Sequence, residues 1–285
     1  MPSPDVIAAL DLVDAHQHVW DLAARPQPWL ELPGHEPLLR NYTEADLRRA
    51  AVAAGVTATV VVQTVTDPAE TTDLLGLAAG SDLIAAVVGW VDLAARDVAD
   101  QIAALAERPD GRLLRGLRHP VLTEPDPDWL ARPAVHRGLR AAGAAGLCFD
   151  LIVPAEQLPG ATGAAAACPG VTFVLDHLGI PDLDRPLDEL WMHDVREFAA
   201  LPNTACKLSG LLGEPTARLI PYYETALAEF GPDRLMFGSD WPVCTLTASY
   251  AQVLQAARAL TSGLSQVERS AIFAGTARRI YGLGG

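Results

Sequence analysis

A closed (β/α)8 TIM barrel is the fold predicted for this chain, a single domain over residues 1–285 with an extra C-terminal helix. Three observations predict it. Eight apolar, β-branched-rich stretches alternate with helical patterns along the whole length, as a parallel sheet requires. The length suits one such barrel. The turn after the first strand holds His16-Gln17-His18, where an open doubly wound sheet would need a Gly-rich phosphate turn.

The first strand is read at Leu12–Trp20, after an apolar run that begins at Ile7. Asp21 to Tyr42 follows, and Pro26, Pro28, Pro33 and Pro37 exclude a regular helix there. Trp29, Leu30 and Leu32 favour a packed loop, with Trp29 the candidate for a lid. Thr43-Glu44-Ala45-Asp46 opens a helix with acidic residues in its first turn, and Gly55 closes it. Val56–Val65 is almost continuously apolar until Gln63, as expected of a strand buried on both faces. A helix at Ala69–Ala79 leads to a strand at Ile84–Leu93. Another at Val98–Glu107 leads to Leu113–Val121, which carries Arg115, Arg118 and His119. The fifth strand is Leu147–Val153, after a helix at Val135–Ala145, and it contains Asp150. A small-residue helix at Ala161–Ala167 precedes the sixth, Thr172–Gly179, with Asp176-His177 near its end. Trp191–Leu201 is helical, and Thr204–Leu211 is the seventh strand, with Lys207 and Ser209. Tyr222–Phe230 is helical, and Arg234–Val243 is the eighth strand, with Asp240-Trp241-Pro242 near its end. Helices at Ser249–Leu260 and Ser265–Tyr281 complete the chain.

Half of the residues are hydrophobic and a fifth charged, which suits a globular enzyme with a large core. The net charge of −14 argues against nucleic acid or an anionic membrane as partner. Cys148, Cys168, Cys206 and Cys244 have no C-x-x-C spacing, so buried free thiols are expected. Met1–Asp5 has no basic segment, and no apolar run is long enough for a bilayer; a cytoplasmic protein is expected, with a homo-oligomer left open.

Side chains alternate along a strand, so His16 and His18 face the same way with Cα atoms about 6–7 Å apart. Both rings can then lean onto one cation at Zn–N distances of about 2.0–2.1 Å. In a barrel the C-terminal ends of all strands converge on one mouth, where active sites lie. The polar residues near those ends are His16, His18, Gln63, Arg118, His119, Asp150, His177, Lys207, Ser209 and Asp240. The reading is that His16, His18 and Asp240 share a metal, with His177 close by. Each has a plainer alternative. Asp240 could cap the turn before Pro242, Asp176-His177 could satisfy local backbone, and Arg115 or Lys207 could pair with acidic neighbours.

Asp14-Ala15-His16-Gln17-His18-Val19-Trp20, Leu175-Asp176-His177-Leu178-Gly179 and Phe237-Gly238-Ser239-Asp240-Trp241-Pro242 resemble the amidohydrolase superfamily. They are most similar to its lactonase branch, which contains sugar-acid lactonases and 2-pyrone-4,6-dicarboxylate lactonase. Arg115–His119 and the closing Phe273–Tyr281 resemble that branch too. The resemblance implies hydrolysis of a lactone ring. Opening an ester needs water activated at neutral pH, and a bound Zn²⁺ can lower its pKa from 15.7 to about 7. Asp240 would act as general base and His177 would orient the water or bond the carbonyl. Arg118 or Lys207 would hold substrate oxygens, and Gln63, Trp20, Trp29 and Trp241 would line the sugar site.

The wider superfamily often adds a Lys on strand four or a His on strand five. Here Arg118-His119 and Asp150 stand there, which disfavours two metals. The expected cofactor is one divalent ion, zinc by preference; in the pyrone-type lactonases the His pair would bind the substrate carbonyl directly. A sugar-acid lactone such as L-fucono- or L-rhamnonolactone is the favoured substrate. The alternatives are a pyrone dicarboxylate, a muconolactone, a related metal-dependent decarboxylase, or a non-catalytic barrel that binds a ligand.

Overall fold

The computed structural model describes residues 11–183 and 189–284. Met1–Asp5 and the start of the apolar run at Ile7 lie outside them. The strands are β1 (Val13–Gln17), β2 (Ala58–Val62), β3 (Ile84–Gly89), β4 (Leu114–His119), β5 (Cys148–Leu151), β6 (Phe173–Leu175), β7 (Thr204–Leu208) and β8 (Leu235–Phe237). All are parallel and each pairs with the next in chain order. β8 returns to β1 just beyond its end. There the His18 N–H donates to Trp241 O at 2.7 Å and the Asp240 N–H to His16 O at 2.8 Å. The predicted TIM barrel is the observed fold.

Between the strands lie α1 (Glu44–Ala53), α2 (Pro68–Ala79), α3 (Val98–Ala106), α4 (Pro133–Ala144), α5 (Leu158–Ala167), α6 (Glu189–Ala199) and α7 (Thr216–Phe230). After the barrel come α8 (Tyr250–Leu260), α9 (Gln266–Ser270) and α10 (Thr276–Ile280). Local chemistry starts several of them. Thr43 and Asp46 form a reciprocal capping box on α1, as Ser249 and Gln252 do on α8, satisfying backbone donors that the first turn leaves free. Two helices differ from expectation. α7 starts at Thr216 rather than Tyr222, because Pro221 is accepted inside it at the loss of one backbone donor. The predicted Ser265–Tyr281 helix is divided into α9 and α10 by a π-helical turn at Ala271–Gly275.

The strands are shorter than the apolar runs that predicted them, because each run continues past the hydrogen-bonded ladder into the mouth. The sixth ends at Leu175; His177 and Leu178 then turn through left-handed backbone, at φ 55° and 56°. The outer core lies between strands and helices. The inner core is built of small and branched residues, among them Val13, Ala15, Val60, Val62, Ala86, Val88, Val174 and Ala205. Ala277, Tyr281 and Leu283 plug its lower end. In β1 the register slips between Asp14 and Gln17, which pair with Thr59 and Val61. This extra residue inverts the phase of the strand. Val13 and Ala15 face inward below the bulge, and His16 and His18 face inward above it.

The 21–42 segment is a packed loop, as expected, with 3₁₀ turns at Pro28–Glu31 and Glu36–Leu38 and with Leu30 and Leu38 buried. Reciprocal backbone bonds between Trp20 and Tyr42 close it. All four cysteines are free and buried. Among the described residues, no helix is long and apolar enough to cross a membrane.

Candidate active site

At the C-terminal mouth of the barrel, His16 Nε2 lies 3.2 Å from His18 Nε2 and 3.6 Å from Asp240 Oδ1. His18 Nε2 lies 3.4 Å from the same carboxylate oxygen. A carbonyl can only accept, so His18 Nδ1 donates to Val62 O at 2.7 Å, which aims Nε2 at His16 and Asp240. Burial and the Lys207 charge hold His16 well below the usual imidazole range. Asp240 has left-handed backbone at φ 57°, held by its N–H bond to His16 O. Burial opposes its ionisation, but His177, His18 and His16 outweigh that and bring its pKa to about 2.

A second set of residues braces this one from outside the barrel wall. The fully buried Asp14 accepts from Ser239 N–H at 2.8 Å, Ser239 Oγ at 2.6 Å and Tyr250 Oη at 2.7 Å. These bonds tie β1, the Asp240 turn and α8 together.

Beneath His16 lies a layer of buried charge. Lys207 Nζ is 2.5 Å from Asp150 Oδ2, 3.0 Å from Asp176 Oδ1 and 3.0 Å from His16 Nδ1, and none of the three pairing side chains is exposed. Burial pushes against the ammonium, but Asp150 and Asp176 raise the Lys207 pKa above its ordinary value. Burial likewise opposes ionisation of Asp176, but Lys207, His16 and Arg118 hold it well below the carboxylate range. For Asp150, burial wins over Lys207 and pushes the carboxyl up to about 6. Tyr281, from the C-terminal helix, donates to both Asp150 oxygens at 3.0 Å. Arg118 Nη1 contacts Asp176 Oδ2 at 3.2 Å and His16 Nε2 at 3.3 Å, while its Nε and Nη2 donate to Gln63.

His177 completes the mouth. Its Nε2 is 4.0 Å from Asp240 Oδ1, and its Nδ1 pairs with Ser209 Oγ at 2.8 Å. Burial lowers its pKa against the opposing pull of Asp240 and Asp176. Gly210 next door has φ +71°, and a Cβ there would lie 2.5 Å from the His177 ring, so only glycine fits.

The structure therefore brings His16, His18, His177, Asp240 and Arg118 together, with Gln63 as the support of Arg118. It places the other expected residues differently. Lys207 is not at the mouth but wholly buried below His16, because its position on β7 is one layer deeper. Trp20 and Trp241 are each about 5% exposed and pack edge-on around Tyr42, at 5.0 and 5.4 Å. Trp29 lies edge-on to Trp20 and bonds Gln27. Trp20 and Trp241 are thus buried by the packed loop, and Trp29 is half-buried within it. His119 does not reach the imidazoles; its two ring nitrogens pair with Trp90 and Glu124. Asp14, Asp176 and Tyr281 were not expected in the site. Asp176 had a signal, its place beside His177; Tyr281 had only its place in the closing Phe273–Tyr281 segment.

The donors fit a divalent ion. A cation held tetrahedrally at about 2.0–2.1 Å needs donor separations of about 3.3–3.4 Å. The three observed separations, 3.2, 3.4 and 3.6 Å, bracket that value. His16, His18 and Asp240 are thus a buried metal-type cluster, and His16, Asp176 and His177 form another. Two fixed cations, Lys207 and Arg118, face three carboxylates, Asp150, Asp176 and Asp240; with all three ionised, the cluster carries one net negative charge before any metal binds.

A barrel with this cluster at its C-terminal mouth defines a class, the hydrolytic TIM-barrel enzymes. The chain belongs to the amidohydrolase family, whose model (Amidohydrolase) matches residues 13–283. It is 39% identical, over 95% of its length and 96% of the relative's, to an L-fucono-1,5-lactonase of Burkholderia multivorans. An L-fucono-1,5-lactonase of Burkholderia ambifaria is 36% identical, over 84% of this chain and 82% of its own. A crystal structure of an amidohydrolase from Burkholderia multivorans with bound zinc superposes with a TM-score of 0.89 at 37% identity, covering 96% of this chain and 100% of that one.

Proposed function

We propose that this protein hydrolyses the lactone of a sugar acid, an L-fuconolactone-type ring by preference, with one divalent ion, zinc, held by His16, His18 and Asp240. The observation that carries the reading is the Asp240 carboxylate, ionised and within 3.4 to 4.0 Å of three imidazoles at the barrel mouth. The relatives' named substrate supports the sugar-acid ring. A divalent ion there supplies Lewis acidity to the carbonyl and acidifies water.

The side chains account for the remaining steps. Asp240 takes the proton of the attacking water and later returns it to the ring oxygen as the C–O bond breaks. His177, fixed by Ser209, orients the water from the other side. Arg118 lies 3.3 Å from His16 Nε2 and so faces the same point, where it stabilises the oxyanion that the carbonyl becomes. Four buried free thiols favour a reducing compartment, the cytoplasm. A decarboxylase is disfavoured because the fifth strand offers Asp150, already committed to Lys207, where that chemistry expects a metal-binding His.

The test is a panel of aldonolactones and pyrones assayed by acid release, with and without chelator, for the wild type and Asp240→Asn. Aldonolactone opening that is lost in the variant supports the reading. No opening of any lactone, or equal rates in both proteins, overturns it.

A further inference from the structure

Trp90 and the rings behind it have no place in the chemistry above. Trp90 directly follows β3. A Cβ on Gly116 would meet Val88 Cγ2 at 3.3 Å inside the barrel, whereas one on Gly89 would run into Thr71 of α2 outside it. Alternation therefore brings Trp90 back to the inner side, one layer above Val88. Gly89↔Leu117 is the last pair of that register, and one step beyond it Trp90 follows on β3 where Arg118, whose guanidinium contacts His16, follows on β4.

The indole is held at both ends. Its backbone N–H donates to Thr71 Oγ1 at 2.7 Å, and that hydroxyl donates back to Trp90 O at 2.9 Å. Its ring N–H donates to His119 Nδ1 at 3.0 Å. The proton of His119 is thereby assigned to Nε2, which faces Glu124 Oε1 at 2.7 Å. His119 is in turn stacked on the buried Trp129, with centroids 4.1 Å apart and planes within 9°. Trp20, Trp129, Trp191 and Trp241 are buried. Trp29 and Trp90 are half-buried, but Trp29 packs edge-on against Trp20 and His35 within the 21–42 loop, whereas Trp90 directly follows β3 with its polar edge already satisfied. What it has left to offer is an apolar face.

We propose that Trp90 is the platform on which the C–H face of the sugar lactone lies, and that His119 and Glu124 are positioning residues that set its angle. The inference rests on the lactonase reading. An aldonolactone presents ring hydrogens on one face and hydroxyls at its rim, so an indole can take the first without burying the second. The carbonyl is then directed at Arg118 and the imidazoles.

The test compares KM and kcat for the best aldonolactone of the panel in Trp90→Ala, Trp90→Phe, His119→Phe, Glu124→Ala and Glu124→Gln. Trp90→Ala is expected to raise KM about tenfold, with kcat within about threefold of wild type, since a platform binds ground and transition state alike. Trp90→Phe keeps a smaller face and falls between. His119→Phe keeps the stack on Trp129 but removes the acceptor, and Glu124→Ala removes the next link. Both should raise KM by about threefold, while Glu124→Gln, which still accepts from Nε2, should restore it. Binding of the aldonate product should change the emission of wild type and not of Trp90→Phe. An unchanged KM in Trp90→Ala, a loss of kcat alone, or identical emission changes overturns the platform while leaving the hydrolysis intact. A wild type that opens no lactone overturns both readings together.

Discussion

Replacing Lys207 by methionine removes the only ammonium in a layer where none of the three pairing side chains is exposed. The carboxylates Asp150 and Asp176 would keep Tyr281 and Arg118 as donors and lose their shared cation. Breaking a buried pair in this way costs about 3–5 kcal/mol. At this length, about 2 °C of Tm per kcal/mol corresponds to a fall of about 6–10 °C. The loss should also depend on pH. Asp150 has a folded pKa of about 6, above its ordinary value, and without Lys207 it rises further. A raised carboxyl pKa favours the folded state on protonation, so the deficit of the variant should shrink as pH falls from 8 towards 5. Urea unfolding of the metal-free proteins at both pH values measures this. Lys207→Met/Asp150→Asn should recover at least half of the loss. A single variant that costs under about 1 kcal/mol, or a double variant whose costs simply add, would refute the coupled layer.

The other expectations concern the mouth and its loop. His18→Ala should retain less zinc after dialysis, with affinity at least tenfold weaker, as metal analysis and competition with a chelator would read; unchanged retention removes it from the ligand set. Gly210→Ala should cut kcat by about a hundredfold while Tm drops by only a few degrees, because the new Cβ pushes against the His177 ring; normal turnover would mean that the ring's position is not critical. Trp20→Ala should lower stability by about 3–5 kcal/mol and leave KM near wild type, as befits a residue that packs the loop. A large KM effect in a stable protein would restore it as a substrate residue.

Much of this was legible in the residues. Alternation of apolar runs with helical patterns sufficed for the barrel, because every strand is buried on both faces. His16 and His18 were legible because a period of two is insensitive to where the strand begins. Asp240 and His177 were legible from their places after apolar runs. Depth was not. Lys207 and Arg118 both face inward, yet one is buried in the layer below the imidazoles and the other reaches them, and strand stagger decides which. The tryptophans failed for another reason: Trp20 and Trp241 neighbour the site in sequence, and the packed loop claims their faces. His119 stands beside Arg118 in the sequence, but its ring is spent on Trp90, Glu124 and Trp129 and does not reach the imidazoles.

The extra residue in β1 has a consequence for how this site can change. Below it, Val13 and Ala15 answer only to the packing of the barrel; above it, His16 and His18 answer only to the chemistry of the mouth. The bulge works as a joint between two registers. Substitutions below the joint alter volume without rotating the imidazoles. Deleting one residue at the joint would turn both rings towards the helices while leaving the lower strand in place. The donor set is therefore protected against drift in the core and exposed to a single change in length.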